Sequence, residues 1–95
     1  MAIVSFKDRR MRDLLDGREP HKSLPGNVTR VLRRKLEFLE TAGALTDLRQ
    51  PSSNHFEKLR SDRAGQHSIR VNDQFRLCFV WTPGGPADVE FVDYH

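Results

Sequence analysis

Cysteine occurs once in this 95-residue chain, as Cys78, and a lone cysteine excludes an intramolecular disulfide framework. That usage suits a reducing compartment. No apolar run approaches the ~20 residues a membrane-crossing helix needs, and the N-terminus lacks the apolar stretch of a secretory signal. A soluble, cytoplasmic protein with no membrane partner is therefore expected. Histidines 21, 55, 67 and 95 together with Cys78 give no zinc-like spacing, and neither a Walker sequence nor a dinucleotide-binding glycine pattern is present. No Ser–His–Asp set can be assembled. The expectation is a protein without a metal or other cofactor.

Apolar residues are scarce too, at 37%. That supplies one modest core, so the expectation is a single domain over residues 1–95, with no room for separate nucleotide-binding and catalytic units. The composition is still too apolar and varied for a disordered chain. The net charge of +3 leans weakly toward an anionic partner. It is unevenly placed: residues 1–40 carry net +4 and residues 41–95 net −1.

Residues 1–6 (MAIVSF) are short, apolar and β-branched, and read as an opening strand. Residues 8–16 set Met11, Leu14 and Leu15 at helical spacing, with Gly17 as a stop. Asn27 reads as the N-cap of a second helix. Its apolar face is Val28, Val31, Leu32, Leu36 and Leu39, and Gly43 lies beyond its end. Arg33 and Glu37 stand at i,i+4 on the other side. Arg30, Arg33, Arg34 and Lys35 read first as a solvated face, with phosphate contact as the alternative.

From Phe56 the period changes to two. Candidate strands cover residues 56–60, 66–71, 75–81 and 87–94, separated by turns at 61–65, at Asn72-Asp73 and at 82–86. His67, Ile69 and Val71 alternate with Gln66, Ser68 and Arg70, while Phe75, Leu77 and Phe79 alternate with Arg76 and Cys78. The fold class this predicts is α+β: an N-terminal strand and two helices packed on one face of an antiparallel meander. Cys78 reads as a packed side chain rather than a nucleophile.

A polar set is spread over that meander: Glu57, Arg60, Arg63, Arg70, Arg76 and the ending Asp93-Tyr94-His95. Arg76 is the most telling, because it interrupts a segment apolar enough to be a central strand. Its structural reading is an ion pair with Glu90 or Glu57; its functional reading is a bidentate clamp on phosphate. Cleavage of an RNA strand would use the whole set. Attack by the 2′-hydroxyl needs a base, the leaving 5′-oxygen needs an acid, and the charged phosphorane needs a cation.

The stretch 59–79, with its pattern D-R-x-G-x-x-S-I-R-V-N-D-Q-F-R at residues 62–76, and the ending VEFVDYH resemble the HigB toxins of the RelE/ParE superfamily. The resemblance extends to residues 3–7 and the helical region. It implies a RelE-like fold and a ribosome-dependent mRNA endonuclease that cuts translated message in the A site. It further implies a HigA-type helix-turn-helix antitoxin as partner, and operator DNA bound through the toxin–antitoxin complex. By position, Glu57 falls on the polar residue of the first meander strand, Arg60 on the cationic one, and Arg76 on the phosphate-binding arginine. Asp93, Tyr94 and His95 form the terminal motif, with Tyr94 stacking on a base or orienting the ribose and His95 acting as general acid or base. Arg63, Arg70, Arg33 and Arg34 are the further RNA contacts.

This chain departs from its relatives at three places. Arg60-Ser61 stands where Lys-Gly is frequent, and an arginine holds phosphate but does not pass on its proton, so Arg60 is a charge stabiliser. Some relatives carry His at the position of Glu57, which leaves base and acid unassigned. Trp is common where His67 stands, and His67 is expected on the core side with a structural role. Two other functions remain open: a non-catalytic module acting through the antitoxin complex, and a gyrase-directed toxin, against which the Asp-Tyr-His ending argues.

Overall fold

Residues 2–93 are described by the computed structural model. Two helices, α1 (Arg9–Leu15) and α2 (Thr29–Thr41), precede four strands: β1 (Glu57–Lys58), β2 (His67–Arg70), β3 (Phe75–Thr82) and β4 (Gly85–Asp93). Short 3₁₀ turns occupy Leu45–Arg49, Ser52–Asn54 and Ser61–Arg63. Each strand pairs antiparallel with the next in the order β1-β2-β3-β4, the expected meander. Met11 and Leu14 of α1 and Leu32, Leu36 and Leu39 of α2 form one buried cluster with Ile69, Leu77, Phe79 and Val89 of the sheet. The α+β class is as the alternation predicts.

The opening strand takes a different form. Residues 4–6 lie beside β4 and bridge to it once, Phe6 to Val89 in parallel. The Lys7 and Asp8 N–H groups both donate to the Val89 carbonyl, at 3.0 and 3.1 Å, as the chain swings into α1, and this convergence ends any regular ladder. Asp8 caps α1 through a bond from the Arg10 N–H and a two-pronged pairing with its guanidinium at 2.9 and 2.7 Å. Burial works against the Asp8 carboxylate, but these contacts outweigh it and hold its pKa below the usual value.

Asn27 is not the cap of α2. The cap is Val28, which makes no side-chain cap bond; its N–H donates to the Pro25 carbonyl at 3.2 Å, so a backbone turn leads into the helix. Arg33 reaches the Leu14 carbonyl at 3.2 Å, tying α2 to the last turn of α1. Lys35 leaves the solvated face altogether and is buried, its ammonium 2.6 Å from Asn54 Oδ1. The loop at 44–55 folds over this side of α2, burying Leu48 and Asn54 with it.

Two irregularities set the sheet's outer face. The hairpin between β2 and β3 is one residue longer than a two-residue turn at Asn72-Asp73, because Asn72 Oδ1 accepts the N–H groups of both Gln74 and Phe75 at 2.8 Å. Arg70 thereby lies opposite Arg76. In β4, residues 88 and 89 oppose the single Phe79, a bulge with Asp88 at φ 52°. The extra residue lets Ala87 and Glu90, three apart in sequence, both stand on the face away from the helices, opposite Val80 and Cys78.

Ser61 holds φ 55°, a left-handed conformation that disfavours a side chain with a Cβ. Ser61→Gly is therefore expected to stabilise the fold by about 1 kcal/mol, less the flexibility gained by the unfolded chain. Thermal unfolding checks this. An unchanged or lower midpoint contradicts it.

Candidate functional site

Strand pairing assembles the site from residues distant in sequence. Residues facing each other across a ladder share a face, so Glu57, Ser68, Cys78 and Glu90 form one row across the outer side of the sheet. Arg70 and Arg76 form the next row. Ser68 and Cys78 are buried at the floor. Cys78 sits within electrostatic reach of four charges: burial pushes its thiol pKa up, Arg63 and Arg76 pull it down, and Glu90 and Glu57 add to the rise. The net shift is upward, which favours the neutral thiol and agrees with a packed rather than nucleophilic cysteine.

Arg76 reaches sideways over this floor. Its Nε donates to Ser68 Oγ at 2.7 Å, and its Nη2 donates to the His55 carbonyl. The guanidinium of β3 is thus drawn across β2 toward the start of β1, where Glu57 projects from the same face. Neither expected ion pair with Glu90 or Glu57 is what holds it in these bonds. Glu90 instead meets Arg63, whose Nη1 lies 3.0 Å from Oε1 and 3.1 Å from Gln66 Oε1, with Lys7 Nζ at 3.9 Å.

The other candidates are placed less closely. Arg60 is exposed two residues beyond β1, where the 3₁₀ turn Ser61–Arg63 begins, and no hydrogen bond or ion pair joins it to Glu57 or Arg76. Arg70 pairs with Asp73 beside the β2–β3 turn. Asp93 lies opposite Phe75 and accepts from Gln74 Nε2 at 3.2 Å. Arg34 is exposed on α2, and Arg33 is the strut to α1 described above. Tyr94 and His95 lie outside the described residues. Among those residues, no three His, Cys, Asp or Glu side chains gather as a metal site would require. No helix there is long and apolar enough to cross a membrane. A concavity of about 360 Å³ lined by Phe6, Arg9 and Arg12 lies at the β4 edge, apart from this row.

Sequence reasoning did not single out Ser68, although its alternation with Ile69 already put it on the face of Arg70. The His55 carbonyl had no signal at all, since a backbone acceptor is aimed by dihedral angles and not by residue type. His55 holds φ 41° and ψ 54°.

His67 faces the core side as expected, stacked on Phe56 with centroids 5.3 Å apart and lying 6.3 Å from Phe79. Its buried Nδ1 finds no hydrogen-bond partner among the described residues. Burial lowers the His67 pKa, and Lys58 lowers it further. The unfolded chain therefore binds this proton more readily than the folded one, so His67 favours the folded state fully above its ordinary pKa of about 6.5. As pH falls below that value the contribution is lost, levelling off once the lower folded-state pKa is passed. Urea unfolding at pH 7.5 and 5.0 should show a pH-dependent loss that shrinks in His67→Trp. An equal loss in both proteins would assign it to other groups.

The model of the HigB-like toxins, described as RelE-like toxins of the type II toxin–antitoxin system HigB, matches residues 4–95. Toxin HigB-1 of Vibrio cholerae serotype O1 is 41% identical over 92 residues, covering 97% of this chain and 96% of that protein. An uncharacterized protein of Haemophilus influenzae is 35% identical over 76 residues, covering 80% of this chain and 75% of the other.

Proposed function

This chain belongs to the HigB-type toxins of the RelE superfamily, the toxin component of a type II toxin–antitoxin system, and we propose that it acts as a ribosome-dependent mRNA endonuclease. Such a system implies an antitoxin partner. In the proposed reading that partner is of the HigA helix-turn-helix type, and the pair binds operator DNA.

One observation supports the nuclease reading above the rest. Arg76 is held on the sheet's outer face by Ser68 and the His55 carbonyl, beside Glu57, while Glu90 is occupied by Arg63. A planar guanidinium fixed along one edge is suited to gripping the non-bridging oxygens of a phosphate. As the 2′-oxygen attacks phosphorus and the bond to the 5′-oxygen breaks, negative charge grows on those oxygens, and a prepositioned cation stabilises it without reorganising. Glu57 and His95 are the proposed proton acceptor and donor, in either assignment, and Tyr94 holds the base or ribose. Asp93 orients the terminal residues. Arg60 adds charge, and Arg63 and Arg70 contact RNA by dividing their guanidinium donors between its phosphates and the carboxylates they already hold. Arg33 and Arg34 widen the contact with ribosomal RNA, the ribosome itself holding most of the message.

The test is cleavage of a defined mRNA on purified 70S ribosomes by the full chain, beside the same mRNA without ribosomes. Cuts in the A-site codon that require the ribosome support the proposal. Growth arrest on expression without mRNA cleavage overturns it, DNA breaks then pointing to gyrase; the absence of both arrest and cleavage also overturns it and points to a binding role.

A further inference from the structure

The His55 carbonyl that accepts from Arg76 directly follows a buried polar network that none of the proposed chemistry uses. Asn54 is fully buried, and all of its described bonds are to protein: Nδ2 donates to the carbonyls of Leu48 at 3.1 Å and Gln50 at 3.2 Å, and Oδ1 accepts from Lys35 Nζ at 2.6 Å. Lys35 is itself only 6% exposed, with its ammonium 5.3 Å from the centre of the Phe38 ring. A buried amide and a buried ammonium are retained in a small core only when their partners are well placed, because each costs more to desolvate than an apolar side chain. This pair spends its bonds on one object, the chain from Leu48 to Asn54.

That chain ends at His55. The 3₁₀ turn Ser52–Asn54 closes with the His55 N–H donating to Ser52 O at 3.0 Å, and His55 takes the left-handed conformation that turns its carbonyl toward Arg76. A non-glycine residue keeps such a conformation where its surroundings over-determine it. Here the determinant is visible: Asn54, the preceding residue, is clamped at both polar ends of its side chain. Two residues further on stands Glu57, the first residue of β1.

We propose that Lys35 and Asn54 are positioning residues, which set the His55 carbonyl and through it the orientation of the Arg76 guanidinium. This rests on the reading of Arg76 as the phosphate-holding group for its functional consequence, though not for its structural one. Lys35 and Asn54 do not touch the message. They act through one backbone oxygen.

The experiment has two readouts on the full chain. The first is the ¹⁵Nη2–Hη2 signal of Arg76, the group that meets the His55 carbonyl, recorded in the free toxin at low temperature and assigned by its loss in Arg76→Lys. Asn54→Ala and Lys35→Met should shift this signal and speed its exchange with water, while His55→Gly, which keeps the carbonyl and suits a positive φ, should leave it near its parental position. The second is single-turnover cleavage on 70S ribosomes. Asn54→Ala and Lys35→Met should lower the rate at saturating ribosomes by about 10- to 100-fold with half-saturation little changed, and should add nothing further when combined with Arg76→Ala. Lys35→Met leaves the Asn54 bonds to Leu48 and Gln50 in place, so it serves where Asn54→Ala does not fold. An unmoved Arg76 signal in a folded Lys35→Met or Asn54→Ala overturns the proposal. So does a loss of rate that multiplies with that of Arg76→Ala, which is the mark of a merely structural effect. If the parent does not cleave, or Arg76→Ala cleaves like the parent, the nuclease reading fails instead, and the resonance still decides the clamp.

Discussion

Arg76→Ala is expected to lower single-turnover cleavage of ribosome-bound mRNA by about 10²–10³-fold, with ribosome binding little affected. That range corresponds to removing one preorganised donor from the place where charge develops, roughly 2.7–4 kcal/mol of transition-state stabilisation. The effect should fall on the chemical step because the phosphate in the ground state carries one charge fewer than the phosphorane. Arg76→Lys separates the two contributions of the residue. It restores a positive charge but not the fork, so it should recover only part of the rate, and it loses the Nε bond to Ser68 Oγ. The fold itself should persist, since Arg76 is only half-buried and lies on the outer face of the sheet. Far-UV circular dichroism and a melting curve for each variant would establish this. A folded Arg76→Ala protein that cuts at the parental rate removes Arg76 from the site.

The route from sequence to that face runs through register, and register was only half legible. Alternation alone puts Ile69, Leu77 and Phe79 on one side and Ser68, Arg76 and Cys78 on the other, and the structure agrees. The turn that aligns those strands is a different matter. A two-residue turn at Asn72-Asp73 would set Arg76 opposite Ile69, and facing residues share a side, so the arginine would enter the core. Capture of two N–H groups by the Asn72 side chain adds a residue to the loop and sets Arg76 opposite Arg70. The hydrophobic pattern, not the turn signal, carried the right answer.

Features that depend on a single extra residue or on a backbone carbonyl were not legible. The β4 bulge brings Glu90 to the outer face, where it engages Arg63, yet in the sequence Asp88 looks like any polar residue between apolar ones. Lys35 reads as solvated because its neighbours Arg33 and Arg34 are basic, and its burial is decided by a loop that begins nine residues later. Asn54 ends the polar run Pro51-Ser52-Ser53-Asn54 and closes a 3₁₀ turn there, but its side chain works inward. Helix stripes and strand alternation encode which side a residue faces; they do not encode what a loop lays over it.

Phe79→Ala should produce the largest loss of stability, about 3–5 kcal/mol, because it deletes a fully buried ring from the strand at the centre of the core. β3 is paired on both edges, to β2 and β4, so its backbone is poorly free to collapse into the void. The bulge of β4 lies directly opposite Phe79, and His67 would lose its 6.3 Å neighbour on one side. For a domain whose whole stability is of order 5–15 kcal/mol, such a loss takes the melting temperature down by roughly 4–8 °C for each kcal/mol. Phe79→Leu keeps most of the volume and should cost no more than about 1–2 kcal/mol. Equilibrium urea unfolding ranks the three proteins, and a Phe79→Ala loss below 1 kcal/mol contradicts the packing described. At a temperature where Phe79→Ala remains folded, its cleavage should stay within a few-fold of the parent, because the residue lies on the helix side and Arg76, Ser68 and Glu57 on the other. Arg76→Ala should show the reverse, near-parental melting and little cleavage. Two variants three residues apart on one strand would then separate holding the sheet together from doing chemistry on its surface.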